Sequence, residues 1–166
     1  MTVLGIGPGK CGSHRLAKLL GVSHEAGPFI DWDAPDVRRA AGWLRAQKGE
    51  VAGDVAPIWL RVLPDLLDEV EGLRVVGLGR DVGDTVASYL RAWPDARPLT
   101  GRASLRQRSF PTYRSMEPEA AWRRYVEEYY AAMEALAEAH EWVAVLPVEA
   151  VDEDPETVLE AAGLAS

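Results

Sequence analysis

Lys10 stands inside a run of glycines, Gly5, Gly7, Gly9 and Gly12, directly after the apolar stretch Val3–Gly7 and ahead of the helix formers Arg15–Leu20. Glycine permits positive φ and close backbone approach. The successive amides of Gly9, Lys10, Cys11, Gly12 and Ser13, the start of the following helix and the Lys10 ammonium can therefore converge on one phosphate. The Ser13 hydroxyl and His14 extend the same donor set. A second group suited to phosphate is Arg80, which follows the apolar run Leu73–Gly79 and precedes Ser88 by eight positions. A guanidinium fork at a strand end fits two phosphate oxygens at once, with a hydroxyl supplied from the next helix. The plain alternatives are an ordinary tight strand-to-helix turn for the first group and a surface pair between Arg80 and Asp84 for the second.

Proton-transfer chemistry has three candidates. His24 and Glu25 follow a short apolar segment in GVSHEAG, and Asp54 closes VAGD before Pro57. A carboxylate or imidazole at a strand end can act as a general base, although each can equally be a helix cap or a solvated charge. Cys11 as a nucleophile would draw on Lys10 and a helix N-terminus to lower its pKa, but no Cys-x5-Arg loop follows it. The nucleotide-kinase loop is G-x-x-x-x-G-K-[ST]; here Gly5 to Gly9 is one residue short, and Cys11 stands where a hydroxyl would hold magnesium. A thiol is a poor ligand for a hard cation, so the loop reads as a phosphate holder with no obligatory metal. An ATP-using kinase with Asp54 or Asp81 on magnesium is the first alternative, and a non-catalytic nucleotide-binding or interaction protein the second.

These groups need a scaffold that brings strand ends together. Val3–Gly7 and Leu73–Gly79 are apolar without alternation, as strands covered on both faces are. Val22–His24, Glu50–Asp54 and Trp142–Val148 read as further strands. Between them lie helical stretches: one capped by Asp33 and running to Gly49, one from Trp59 to Val70 kinked at Pro64, one from Val82, a long one over Pro118–His140, and a last one after Pro155. The pattern predicts an α/β three-layer domain with a mostly parallel sheet, in which ligands bind at the carboxyl ends of strands. Residues 93–116 lack periodicity, contain Arg97, Arg102, Arg106, Arg108 and Arg114, and read as a long loop able to cover a bound polyanion.

With 166 residues, 48% of them hydrophobic and 27% charged, the chain is expected to form one globular domain. The net charge of −8 argues against nucleic acid as a partner, although residues 91–116 hold six arginines and one acid. One cysteine and three histidines give no disulfide framework and no expected zinc site. No apolar run spans a membrane and no secretory signal opens the sequence, so a cytoplasmic location and no membrane partner are expected.

Gly9-Lys10-Cys11-Gly12-Ser13-His14 resembles the 5′-phosphosulfate loop of sulfotransferases, P-[KR]-[SC]-G-[ST]-[TSH], with proline displaced to Pro8. LRVVGLGRDVGDTVASYL is similar to the family's second signature, a strand ending in Arg-[DN]-Pro-x-Asp-x-x-x-Ser, with Val82 at the proline position. DVAPIWL resembles the E-K-[ST]-P-x-[YF] segment of the carbohydrate members, and VEAVDEDPETVLEAAGL their late strand and acidic segment; no R-K-G segment is found. The resemblance implies a single sulfotransferase-like domain over residues 1–166 with a P-loop-like fold. It implies transfer of a sulfuryl group from 3′-phosphoadenosine 5′-phosphosulfate (PAPS) to a hydroxyl or amine of a small-molecule or carbohydrate acceptor, with no metal. It further implies Lys10 against the leaving phosphate, Gly9–Ser13 and His14 around the 5′-phosphate, Arg80 and Ser88 on the 3′-phosphate, and a base at Glu25 or Asp54.

Overall fold

Five short strands pair into one parallel sheet in the computed structural model, which describes residues 1–28, 30–93, 109–113 and 115–165. The strands are β1 (Thr2–Ile6), β2 (Ser23–His24), β3 (Ala52–Val55), β4 (Leu73–Gly79) and β5 (Val143–Pro147), in the spatial order β2-β3-β1-β4-β5. The helices are α1 (Ser13–Leu20), α2 (Val37–Ala46), α3 (Leu63–Glu69), α4 (Val82–Ala92), α5 (Pro118–Ala139), α6 (Ala150–Glu153) and α7 (Pro155–Ala161), with a 3₁₀ turn over Pro57–Arg61. The α/β class with a parallel central sheet is thus as expected, and no described helix is long and apolar enough to cross a membrane.

Alternate residues of β1 feed two cores. Leu4 and Ile6 pack with α2, the 3₁₀ turn, α3, α4 and α5, while Val3 packs with α1, α6 and α7 on the other face. Connection direction accounts for this division. The chain steps one way from β1 to β2 through α1 and the opposite way from β3 to β4, so crossovers of a common hand place their helices on opposite faces. The chain therefore leaves the neighbouring strands β1 and β3 toward different layers. A crevice opens at their carboxyl ends, as it does at a switch point in any open α/β sheet. Close approach of β3 to β1 depends on Gly53, where an added Cβ would collide with the Val3 carbonyl.

Several boundaries differ from the sequence expectation. Asp36, not Asp33, caps α2, its carboxylate accepting from Arg39 N at 2.9 Å. Pro35 precedes it, and the chain up to Asp36 is not helical, which leaves Asp33 in the preceding loop. Pro64 does not kink a single helix. It sits in the first turn of α3, where its missing N–H costs nothing, and the residues before it form the separate 3₁₀ turn. The short α6 was not expected. Most of the long loop, including Arg97, Arg102, Arg106, Arg108 and Arg114, lies outside the described residues.

Candidate functional site

The turn after β1 winds through the left-handed region at Gly9 (φ 89°), Lys10 (φ 56°) and Gly12 (φ 82°). Glycine takes this conformation freely, whereas for Lys10 it is strained and must be held by its surroundings. Gly12 begins α1, its carbonyl accepting from Arg15 N at 3.0 Å and Leu16 N at 3.1 Å. The first amides of a helix have no intrahelical carbonyl to bond, and here no capping side chain takes them up.

Three buried tyrosines hold the turn in shape. Tyr89 of α4 donates its hydroxyl to the Pro8 carbonyl, and Tyr125 of α5 donates to the same oxygen at 3.1 Å. Gly7 N donates to the Tyr129 hydroxyl at 3.1 Å, and that hydroxyl donates to the Pro57 carbonyl at 2.8 Å, tying the end of β1 to the 3₁₀ turn after β3. Burial pushes all three phenols well above their ordinary pKa, which keeps them neutral donors. Sequence reasoning assigned the α5 residues to a core stripe and missed this role. The available signal was tyrosine at fully buried stripe positions, since a phenol in a core needs a polar partner.

Lys10 places its ammonium over the Trp93 ring, 5.1 Å from the centroid. Arg80 donates from Nη1 to the Lys10 carbonyl at 3.2 Å and places Nη2 3.8 Å from Asp84 Oδ2. The surface pair read as an alternative therefore exists, and the same guanidinium also touches the glycine-rich turn. Ser88 is half-buried in α4.

A cleft of about 750 Å³ opens between the strand ends. Its lining includes the polar or glycine positions Gly9, Lys10, Gly12, Ser13, His14, His24, Glu25 and Asp54 and the apolar side chains of Ile30, Ile58, Trp93 and Phe110. The structure thus brings together Lys10, Ser13, His14, His24, Glu25 and Asp54; Arg80, Ser88 and Cys11 do not line the cleft. Cys11 is 1% exposed, and burial pushes its thiol up to about 11 against smaller opposing effects of backbone amides and Arg80. Such a thiol is neither a ready nucleophile nor a metal ligand.

Asp54 is fully buried, and three donors converge on its carboxylate: Ser23 Oγ at 2.7 Å, Ala26 N at 3.1 Å and Trp59 Nε1 at 2.9 Å. It fastens the segment after β2 to the end of β3. Glu25 lies inside that segment, with φ 51° and its amide donating to the Val55 carbonyl at 3.1 Å. Its side chain is exposed, and among the described residues no hydrogen bond or ion pair engages its carboxylate. Asp81, the other residue considered for magnesium, caps α4 by accepting from Asp84 N at 2.9 Å.

No protein-family model matches this sequence, and no curated protein matches it significantly. Among solved structures, an uncharacterized protein from Eubacterium ventriosum ATCC 27560 covers 98% of this chain and 97% of its own length at 8% identity, with a TM-score of 0.45. A sulfotransferase from Alicyclobacillus acidocaldarius aligns over 98% of this chain and 81% of its own, at 17% identity and a TM-score of 0.62. The chain shares its fold with that enzyme, and its architecture is sulfotransferase-like.

Proposed function

We infer that this protein is a sulfotransferase, moving a sulfuryl group from PAPS to the hydroxyl or amine of a small acceptor. The observation that carries this reading is the wound turn Gly9–Gly12 at the uncapped start of α1, opening with Lys10 onto the cleft that also holds Glu25. The donor set suits the ligand: backbone amides, a hydroxyl and an ammonium offer only hydrogen bonds and positive charge to an anion, which is what a phosphosulfate presents. Gly9–Ser13 and His14 would hold the 5′-phosphate, and Arg80 with Ser88 would hold the 3′-phosphate from beside the turn. PAPS, when bound, supplies an activated sulfuryl group whose departure leaves charge on a phosphate oxygen.

Lys10, whose ammonium lies over the Trp93 ring, would stabilise that charge. Glu25, exposed and lining the cleft, would take the acceptor's proton. Asp54, engaged by three donors, acts on the reaction by holding the backbone that presents Glu25. The apolar side chains lining the cleft would limit the water that could divert the transfer to hydrolysis. The magnesium-dependent kinase reading loses support because Cys11 is buried and both Asp54 and Asp81 already serve structural hydrogen bonds.

Titration calorimetry with adenosine 3′,5′-bisphosphate in EDTA, against ATP with Mg²⁺, tests the binding half of the proposal. Tight binding of the first without metal is the expected result, and exclusive binding of Mg²⁺–ATP overturns it. Transfer of labelled sulfate from PAPS into a panel of alcohols and amines tests the catalytic half.

A further inference from the structure

What faces the Lys10 ammonium is a ring, with Nζ 5.1 Å from the centroid of Trp93, and both residues line the cleft. Both ends of this contact are fixed through Tyr89. Trp93 closes α4, its N–H donating to the Tyr89 carbonyl at 2.9 Å. Its ring stacks on Tyr89, with centroids 5.5 Å apart and planes at 29°, and on Trp122 at 5.7 Å and 21°. Tyr89 and Trp122 are themselves nearly parallel, 3.9 Å apart with planes at 9°. The Tyr89 hydroxyl in turn donates to the Pro8 carbonyl, and a Cβ added at Gly9 would run into it, so the turn that carries Lys10 rests on the same side chain.

A ring holds a cation without cancelling it. Its face attracts the ammonium through a quadrupole and carries no net charge, whereas a carboxylate in the same place would neutralise Lys10 and compete with an arriving anion. Among the described residues no ion pair or hydrogen bond engages Lys10 Nζ. An ammonium has three donors, so with the ring on one side it keeps N–H groups for a ligand on the other.

We propose that Trp93 is a positioning residue for Lys10, its ring holding the ammonium beside the cleft both before an anion binds and while one is bound. The effect on turnover rests on the reading of the site as a sulfotransferase; the placement of the ammonium does not. A lysine stem is costly to order, and here that cost is met in the fold instead of at binding. A cation–π contact at a partly exposed site favours the placed ammonium by about two- to fivefold. Charge on the leaving phosphate grows as the sulfuryl group departs, so this factor falls mainly on kcat.

The placement is read without activity. The chain has three lysines, Lys10, Lys18 and Lys48, and reductive methylation with ¹³C-formaldehyde labels each while keeping its charge. The Lys10 methyl signal, identified by its loss in Lys10→Arg, should lie upfield of the other two through the ring current of Trp93. It should join them in Trp93→Leu, and it should remain upfield in wild type when sulfate or adenosine 3′,5′-bisphosphate is added to saturation. In label transfer from PAPS, Trp93→Leu should lower kcat about fivefold with a smaller change in KM, and Trp93→Phe should restore part of the loss. The same substitution in a Lys10→Ala background should cost nothing further. Tryptophans carrying one to three ring fluorines at position 93 keep the shape of the side chain and weaken its quadrupole, so kcat should fall stepwise while the melting temperature holds.

A Lys10 signal that is not upfield, or that ignores Trp93→Leu, overturns the inference and leaves the sulfotransferase reading standing. So does a signal that leaves the upfield position when sulfate binds, since the ring is then only a resting place. An undiminished effect of Trp93→Leu in the Lys10→Ala background also overturns it, because the ring then acts on the ligand itself. An upfield signal that persists with sulfate bound, in a protein that transfers nothing from PAPS, supports the hold of Trp93 and defeats the sulfotransferase reading. Failure of both anions to bind defeats both.

Discussion

Replacing Asp54 with asparagine separates two roles that a carboxylate at a strand end can play. The native side chain is fully buried and accepts from Ser23 Oγ, Ala26 N and Trp59 Nε1. In Asp54→Asn the amide oxygen can still serve Ser23 and Ala26, but the amide nitrogen then faces the indole N–H, donor against donor. Losing a charge-assisted hydrogen bond costs about 1.5–3 kcal/mol, and a stranded buried donor costs about 1–3 kcal/mol. The two overlap, so a net loss of about 2–4 kcal/mol is expected, or about 4–16 °C in melting temperature for a chain of this size. Calorimetric melting checks the stability, and label transfer well below the transition checks turnover. The companion variant Glu25→Gln alters an exposed side chain, so it should change stability by less than about 0.5 kcal/mol while lowering turnover by about 10²–10⁴. If Asp54→Asn melts like wild type and loses turnover a hundredfold or more, while Glu25→Gln remains active, the assignment of base and anchor is the wrong way round.

The remaining predictions concern the turn itself. Tyr89→Phe and Tyr125→Phe should each cost about 1 kcal/mol in urea unfolding, and the double variant more than their sum, since the Pro8 carbonyl loses both of its phenol donors. Arg80→Ala should weaken adenosine 3′,5′-bisphosphate binding by about tenfold or more, and Lys10→Ala should lower turnover more than affinity, as calorimetry and steady-state kinetics will read. Cys11, with its thiol pushed up to about 11, should resist iodoacetamide in the folded protein at pH 8 and react readily in denaturant. Because burial raises this pKa, the folded state keeps a proton that the unfolded chain releases. Cys11 therefore lowers stability only as pH climbs from about 9 toward 11, which urea melts over that range will follow.

Elements with uninterrupted apolar runs were legible in the sequence. Val3–Gly7 and Leu73–Gly79 are the two central strands that make contact along β1, and the stripe from Trp122 to Met133 is buried along α5 as its spacing requires. Short elements were placed less well, because β2 has only two residues and α6 only four, too few to show a period. At the site, the glycines announced through their types alone a turn that winds through the left-handed region and opens with Lys10 onto the cleft. The distinction between Glu25 and Asp54 was not readable, since both are acids at strand ends and only tertiary packing brings the Trp59 indole onto one of them. The contact of Arg80 with the Lys10 carbonyl was hidden for the same reason, as it joins residues 70 positions apart.

The hydroxyls that shape the glycine-rich turn come from far along the chain: the bond from Gly7 N to Tyr129 spans 122 positions. The motif is therefore not portable. Grafting Gly5–His14 onto the end of another parallel strand would transfer the flexibility of its glycines but none of the outside restraint that makes Lys10 adopt a left-handed conformation. A transplant meant to capture phosphate would need the tyrosines of α4 and α5 to travel with it.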